Sequence, residues 1–163
     1  MKNYMKLEIA AIGENESFAR SAVAAFALTL NPSLTELSDI KTAVSEAVTN
    51  CIVHAYGGSS PQKRIVIECE IGEESFKENY GVLHIKITDY GSGIEDVEQA
   101  LLPFFTTLEN DERSGMGFTI MQTFMSGFSI KSERGNGTQV MMTKVIGAPD
   151  HFEFSAARER VNA

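Results

Sequence analysis

Glu46, Asn50 and His54 recur at every fourth position in E-A-V-T-N-C-I-V-H. On an α-helix each step of four turns about 40° past a full circle, so the three side chains lie along one slightly twisted face. A carboxylate there can take a proton from an attacking hydroxyl, which is general-base chemistry. An amide oxygen beside it is a neutral hard ligand that suits Mg2+, an ion that keeps water and phosphate oxygens in its shell. A plain solvated helix face has the same pattern. A histidine near a helix end more often packs or caps, so His54 is given no catalytic role.

Three glycine segments follow in order. D-Y-G-S-G-I (89–94) begins with an acid at the end of a strand-like run. Its glycines let the backbone approach a flat ligand, and the Asp89 carboxylate can accept a hydrogen bond from an exocyclic amine such as that of adenine. An Asp-initiated turn would read the same way. E-R-S-G-M-G-F (112–118) stands before a helical run, where glycine-rich backbone N–H groups favour phosphate and Arg113 can pair with phosphate oxygens. Its alternative is an ordinary helix start beside an exposed arginine. R-G-N-G-T (134–138) reads by default as a two-residue hairpin turn, with Thr138 able to reach an adenine edge if that hairpin borders the pocket.

The elements that must carry these groups can be read from periodicity. Residues 5–12 alternate weakly as a strand. A helix follows Asn15 as N-cap, with Phe18, Val23, Phe26 and Leu30 as its apolar face, and Asn31-Pro32-Ser33 stops it. A second helix from Ser33 to Ala55 buries Leu37, Ile40, Val44, Val48 and Ile52. After the loop 57–61, strands are expected over Arg64–Gly72 and Gly81–Asp89, joined by a polar hairpin loop. A short helix over Glu95–Leu101 leads into an aperiodic segment, 103–114, of the kind that forms a lid or binding loop. Gly115–Gly127 suits a helix with Phe118, Met121 and Phe124 inward, and Phe128–Glu133 and Thr138–Val145 a hairpin. Strands that cluster in hairpins predict an α+β fold: a two-layer α/β sandwich, its sheet mixed and mostly antiparallel, with helices on one face. Residues 1–146 form its one domain, and 147–163 a tail or short peripheral helix.

A chain of 163 residues suits one core, and 43% hydrophobic residues suffice to build it. A net charge of -8 and a pI near 4.9 argue against a nucleic-acid module, which carries a basic stripe. No apolar run is long enough to cross a membrane and the N-terminus lacks a signal-peptide core, so a cytoplasmic protein is expected. Cys51 and Cys69 read as small core residues, and the scattered histidines suggest no metal cage.

Together these segments resemble the GHKL superfamily of ATP-binding domains, the Bergerat fold. Its N box resembles E-A-V-T-N here, its G1 box D-Y-G-S-G, its G2 box S-G-M-G-F and its last box G-N-G-T. Four boxes in order span roughly residues 33–145. Within the superfamily, E-N-E-S-F-A-R (14–20), K-T-A-V-S-E-A-V-T-N (41–50), P-F-F-T-T (103–107) and E-R-S-G-M-G-F-T-I-M (112–121) are similar to the anti-sigma F serine kinases of endospore-forming bacteria. The loop and hairpin between 57 and 80 are longer than that pattern needs, with E-S-F-K-E-N-Y as the extra tip, and the tail after Ile146 has no match.

The resemblance implies a homodimer that binds sigma F with ATP and Mg2+ and phosphorylates a serine of an anti-anti-sigma partner. By position, Glu46 matches the catalytic acid and Asn50 the Mg2+ ligand. Asp89 matches the adenine-reading acid, with Gly91, Gly93 and Ile94 shaping the pocket. Thr106 and Thr107 match the start of the lid. Arg113, Ser114, Gly115, Met116, Gly117 and Phe118 match its phosphate-binding end, Arg113 also serving catalysis, and Thr138 the last box. Arg20 matches a helix used near protein partners. Rival expectations are an anti-sigma B type kinase and a module that sequesters sigma with ATP as a structural ligand only. A sensor histidine kinase would need a phosphoacceptor helix before the N box, and a gyrase, Hsp90 or MutL a transducer domain after the last box.

Overall fold

The computed structural model describes residues 3–72, 80–105 and 115–148. The extra hairpin tip, most of the expected lid and most of the tail lie outside the described residues.

Isoleucines on alternate positions, Ile65, Ile67 and Ile71, with Cys69 between them, give β2 (Ser60–Ile71) a fully buried face. Leu83, Ile85 and Ile87 do the same for β3 (Gly81–Asp89). In register, Ile9 of β1 (Asn3–Ala11) pairs with Ile65, Ile67 with Ile87, and Ile87 with Val140 of β5 (Thr138–Ile146). β4 (Gly127–Ser132) closes the far edge, giving the order β1-β2-β3-β5-β4. Every neighbouring pair is antiparallel, so the sheet is more uniform than the mixed one expected.

Helices cover the apolar face. Val23 and Ala27 of α1 (Glu14–Ala27), Ile40, Val44 and Val48 of α2 (Leu34–Asn50), and Met121 of α4 (Gly117–Phe124) join the sheet isoleucines in one core. Each such side chain contributes about 1.5–3 kcal/mol of burial. The other sheet face is polar: Lys86 Nζ meets Glu68 Oε2 at 2.7 Å, and Tyr4 donates to Glu68 Oε1. The two-layer reading therefore holds.

Local chemistry explains where the helices start and stop. Ser33 accepts from the Glu36 N–H while Glu36 accepts from the Ser33 N–H, a capping box that fixes the start of α2. Asn31, in the left-handed region at φ 52°, ends the turn of 3-10 helix that follows α1. Asn15 is not the N-cap of α1; Gly13 holds that place, and the Asn15 amide donates instead to the Ala10 carbonyl. Phe18 is 53% exposed rather than inward, because α1 packs through Ala19, Val23, Ala24 and Ala27, small residues that let the helix lie close.

The second helix does reach Ala55, but its last turn, Cys51–Ala55, is a π-helical turn closed by the Tyr56 N–H on the Cys51 carbonyl at 3.1 Å. The short helix α3 spans Val97–Ala100, capped by Asp96. The loop between β4 and β5 is longer than a two-residue turn: Ser132 pairs with Thr138, leaving 133–137 between the strands. Cys51 and Cys69 are both buried and free, as expected.

Candidate functional site

A cavity of about 1100 Å3 lies between α2, the end of β3, the segment after it and the start of α4. The sequence-predicted polar stripe faces into it: Glu46, Asn50 and His54 all line the cavity. So does a second stripe one residue along, Ala47, Cys51 and Ala55, whose small side chains leave room beside the polar ones.

Gly117 brings the glycine segment before α4 against this helix face. A Cβ at Gly117 would sit 3.2 Å from Glu46 Oε2 and 3.3 Å from both amide atoms of Asn50, so the backbone passes as close as a residue without a side chain permits. Gly115, Met116 and Phe118 also line the cavity, and α4 starts without a side-chain cap. Its first N–H groups thus have no capping oxygen from the chain, the arrangement that suits an anionic ligand.

Asp89 is the buried acid of the site, 4% exposed at the end of β3. Its Oδ1 accepts from the Gly91 N–H at 2.9 Å and from the Thr138 N–H at 3.2 Å. Burial raises its carboxyl above the usual range, while these two N–H groups and a hydrogen bond from the Cys51 thiol act against that rise. The thiol, pushed well above its ordinary value by burial and by the Asp89 charge, stays protonated and can only donate.

The turn after Asp89 is held from three sides. The Tyr56 hydroxyl donates to the Arg64 carbonyl and accepts from the Tyr90 N–H at 2.8 Å. The Ala55 carbonyl, delivered by the π-turn, accepts from the Ser92 N–H at 3.0 Å. From the β4–β5 loop, the Gly135 N–H donates to the Ser92 carbonyl at 2.6 Å, while Ser132 accepts from the Ile94 N–H and meets the Thr138 hydroxyl at 2.8 Å. Gly93, at φ +69°, presses so tightly on the Glu133 carbonyl that no Cβ fits.

The structure thus brings Glu46, Asn50, Asp89, Gly93, Ile94, Gly115, Met116, Gly117, Phe118 and Thr138 to one cavity, with Gly91 bonded directly to Asp89. Thr106, Thr107, Arg113 and Ser114 lie outside the described residues. Arg20 is remote from the cavity lining, on α1, where it pairs with Glu16 at 3.7 Å, and Glu16 in turn accepts from Ser45, beside Glu46. Sequence reasoning passed over Cys51, Ser92 and Arg134, which also line the cavity. Cys51 was legible in one respect, since the four-residue spacing of Ala47, Cys51 and Ala55 runs beside the polar stripe. Arg134 is the one lysine or arginine among the described lining residues, and it pairs with Glu95 at the exposed mouth. Among the described residues no three His, Cys, Asp or Glu side chains cluster to hold a metal, and no helix is long and apolar enough to cross a membrane.

The family model of the histidine kinase-like ATPase domain matches residues 10–144. The anti-sigma F factor of Caldanaerobacter subterraneus subsp. tengcongensis is 50% identical over 145 residues, 89% of this chain and 95% of that protein. The anti-sigma F factor of Thermoanaerobacter sp. (strain X514) is 49% identical over 148 residues, 90% of this chain and 96% of that protein. That of Clostridium novyi (strain NT) is 48% identical over 144 residues, covering 88% and 95%. Among solved structures, the RsbU and RsbW domains of a Mycobacterium tuberculosis protein superpose with a TM-score of 0.63 at 16% identity, over 92% of this chain and 34% of that one. At that identity the likeness is one of fold. The chain belongs to the anti-sigma F factors, within the histidine kinase-like ATPase domain family.

Proposed function

We propose that this member of the anti-sigma F factors binds a sigma factor of the sigma F type and, using ATP, phosphorylates a serine of an anti-anti-sigma protein, acting as a homodimer in the cytoplasm. One observation carries the reading: Glu46, Asn50 and Asp89 share a single cavity, and Gly117 passes directly against the first two. A carboxylate that can take a proton, an amide oxygen and a buried acid at the far end match what a nucleotide-dependent phosphoryl transfer requires.

Asp89 holds the adenine through its exocyclic amine, and Gly91, Gly93, Ile94 and Thr138 shape the base pocket around it. The turn before α4 takes the triphosphate on Gly115, Met116, Gly117 and Phe118, with Arg113 and Ser114 adding donors and Thr106 and Thr107 beginning the lid. Asn50 supplies a neutral oxygen in a site without a carboxylate cluster, which fits an ion that takes few protein ligands and completes its shell with phosphate and water. When bound, Mg2+ would neutralise charge on the phosphates.

Glu46 orients the incoming serine hydroxyl and accepts its proton as the oxygen bonds to the γ-phosphorus and the bond to the β-phosphate oxygen breaks, leaving ADP. Arg113 offsets charge on the transferring group, and closure of 103–114 keeps water from competing with serine. Arg20, exposed on α1 with its Glu16 partner, serves the protein interface.

The test is a transfer assay with labelled ATP and the serine-bearing partner. Glu46→Gln is expected to lower the transfer rate by at least 100-fold while nucleotide and sigma binding persist. A Glu46→Gln protein that phosphorylates its partner at the normal rate overturns the role given to Glu46. Wild-type protein that binds sigma with ATP yet transfers no phosphate would instead be a sequestering module with ATP as a structural ligand. Binding assays against sigma F and sigma B settle the choice of sigma.

A further inference from the structure

We propose that the Cys51 thiol is a positioning donor for Asp89, setting the carboxylate so that the site prefers a purine carrying an exocyclic amine over one carrying a carbonyl there. This rests on the reading of Asp89 as the contact to the base.

Asp89 is gripped from two layers. From the sheet side, the Gly91 and Thr138 N–H groups both bond to Oδ1, which fixes that oxygen. From the helix side, the Cys51 thiol hydrogen-bonds to the same carboxylate. The thiol itself has little freedom. Cys51 donates its N–H to the Ala47 and Val48 carbonyls and accepts from the Tyr56 N–H, so its backbone is tied to the turn before it and to the end of the π-turn after it. It is 5% exposed and lines the cavity.

These contacts decide what is left for a ligand. Two N–H groups and one S–H all donate, so the carboxylate is ionised and its remaining lone pairs can only accept. An amine at the base edge supplies the donor that this oxygen needs. A carbonyl at the same place sets acceptor against acceptor, the mismatch by which a buried polar site rejects an analogue. Without the thiol, the carboxylate keeps its two backbone donors on Oδ1 but loses the contact on the helix side, and is free to turn about its Cβ–Cγ bond.

The experiment compares ATP and ITP, which carry an amine and a carbonyl at that edge, for binding to the full-length protein in Mg2+. Cys51→Ala is expected to weaken ATP about tenfold, the effect of losing one hydrogen bond to a charged group. ITP affinity should stay unchanged, so the ATP:ITP preference falls by the same factor. Cys51→Ser, which keeps an O–H donor, should restore most of that preference. Cys51→Val fills the space without a donor and gives the same comparison should alanine loosen the fold. Equal losses for ATP and ITP would mean that the thiol acts only through packing, and unchanged ATP affinity in both Cys51→Ala and Cys51→Val would exclude any role; either result overturns the proposal. Asp89→Ala separates the two claims. If it binds ATP normally, the reading of Asp89 fails, whereas loss of ATP in Asp89→Ala beside normal binding in the Cys51 variants sinks the thiol's role alone.

Discussion

At Asp89, burial raises the carboxyl from its ordinary 3.8, and the donors from Gly91, Cys51 and Thr138 act against the rise without cancelling it. A carboxyl raised in the folded state binds its proton more tightly there than in the unfolded chain. The stability it contributes is present below the unfolded pKa and is lost as pH rises through the folded value. At neutral pH the ligand-free protein therefore bears the cost of a buried charge. Asp89→Asn keeps an oxygen for the backbone donors and removes that charge, so its melting temperature without nucleotide should rise by roughly 2–4 °C at pH 7. The further rise on adding ATP should disappear. Thermal scans with and without nucleotide check both, and a ligand-free variant that melts lower than wild type would contradict the sign. From sequence, Asp89 was readable as an acid before a glycine turn. The thiol against it was not, because Cys51 looked like any small residue of a buried helix and only the fold shows what it faces.

Among the elements, Lys144 does what no strand pattern announces. It sits on the helix-facing side of β5, 8% exposed, with Nζ at 2.8 Å from Asp39 of α2 and 2.6 Å from the Phe124 carbonyl at the end of α4. One cation thus ties the helix bearing Glu46 and Asn50 to the helix whose first residue passes against them. Lys144→Met should destabilise the protein by roughly 2–4 kcal/mol, since it leaves a mostly buried carboxylate without its partner. Adding Asp39→Asn should recover part of that loss, as urea unfolding of the single and double variants would show. A Lys144→Met protein within about 0.5 kcal/mol of wild type, the range of an ordinary surface change, would mean that the bridge contributes little. The alternation of Leu83, Ile85 and Ile87 made β3 legible to its bounds. α1 was misread at Phe18 because amphipathic patterns weight large side chains, and this helix packs through alanines. The β4–β5 loop was misread because G-N-G chemistry suits a tight turn, whereas here the loop reaches back to bond Ser92.

For the molecule as a whole, the acid side of the stability curve is set by carboxylates held below their usual range. Burial tends to raise Glu36, but hydrogen bonds from the Gly147 and Ser33 N–H groups and the Ser33 hydroxyl outweigh it, and the net shift is downward. The Lys86 ammonium, with help from Tyr4 and against the effect of burial, lowers Glu68. A depressed carboxyl contributes stability that is present above its unfolded pKa and lost as pH falls through the folded value. Unfolding free energy should therefore drop as pH falls below the ordinary carboxylate range, near 4.5, and Glu36→Gln should make that drop shallower. A variant with wild-type slope would deny Glu36 its part. The overall architecture was readable because hairpins, helices and four short motifs agreed on one arrangement. Where a cap, a bridge or a carbonyl from a distant turn completes the site, the partner in each case lies far along the chain.

The π-turn at Cys51–Ala55 has a bearing on how this chain can change in length. Such a turn holds one residue more than the α-helical turn that would replace it. Deleting a residue there would make the helix regular, yet everything after the deletion would swing by about 100° around the helix axis. The Ala55 carbonyl would leave Ser92, and the Tyr56 hydroxyl would leave Tyr90 and Arg64. The surplus residue is thus a spacer of fixed size, and insertions or deletions that α2 could absorb elsewhere would here unhook the turn behind Asp89.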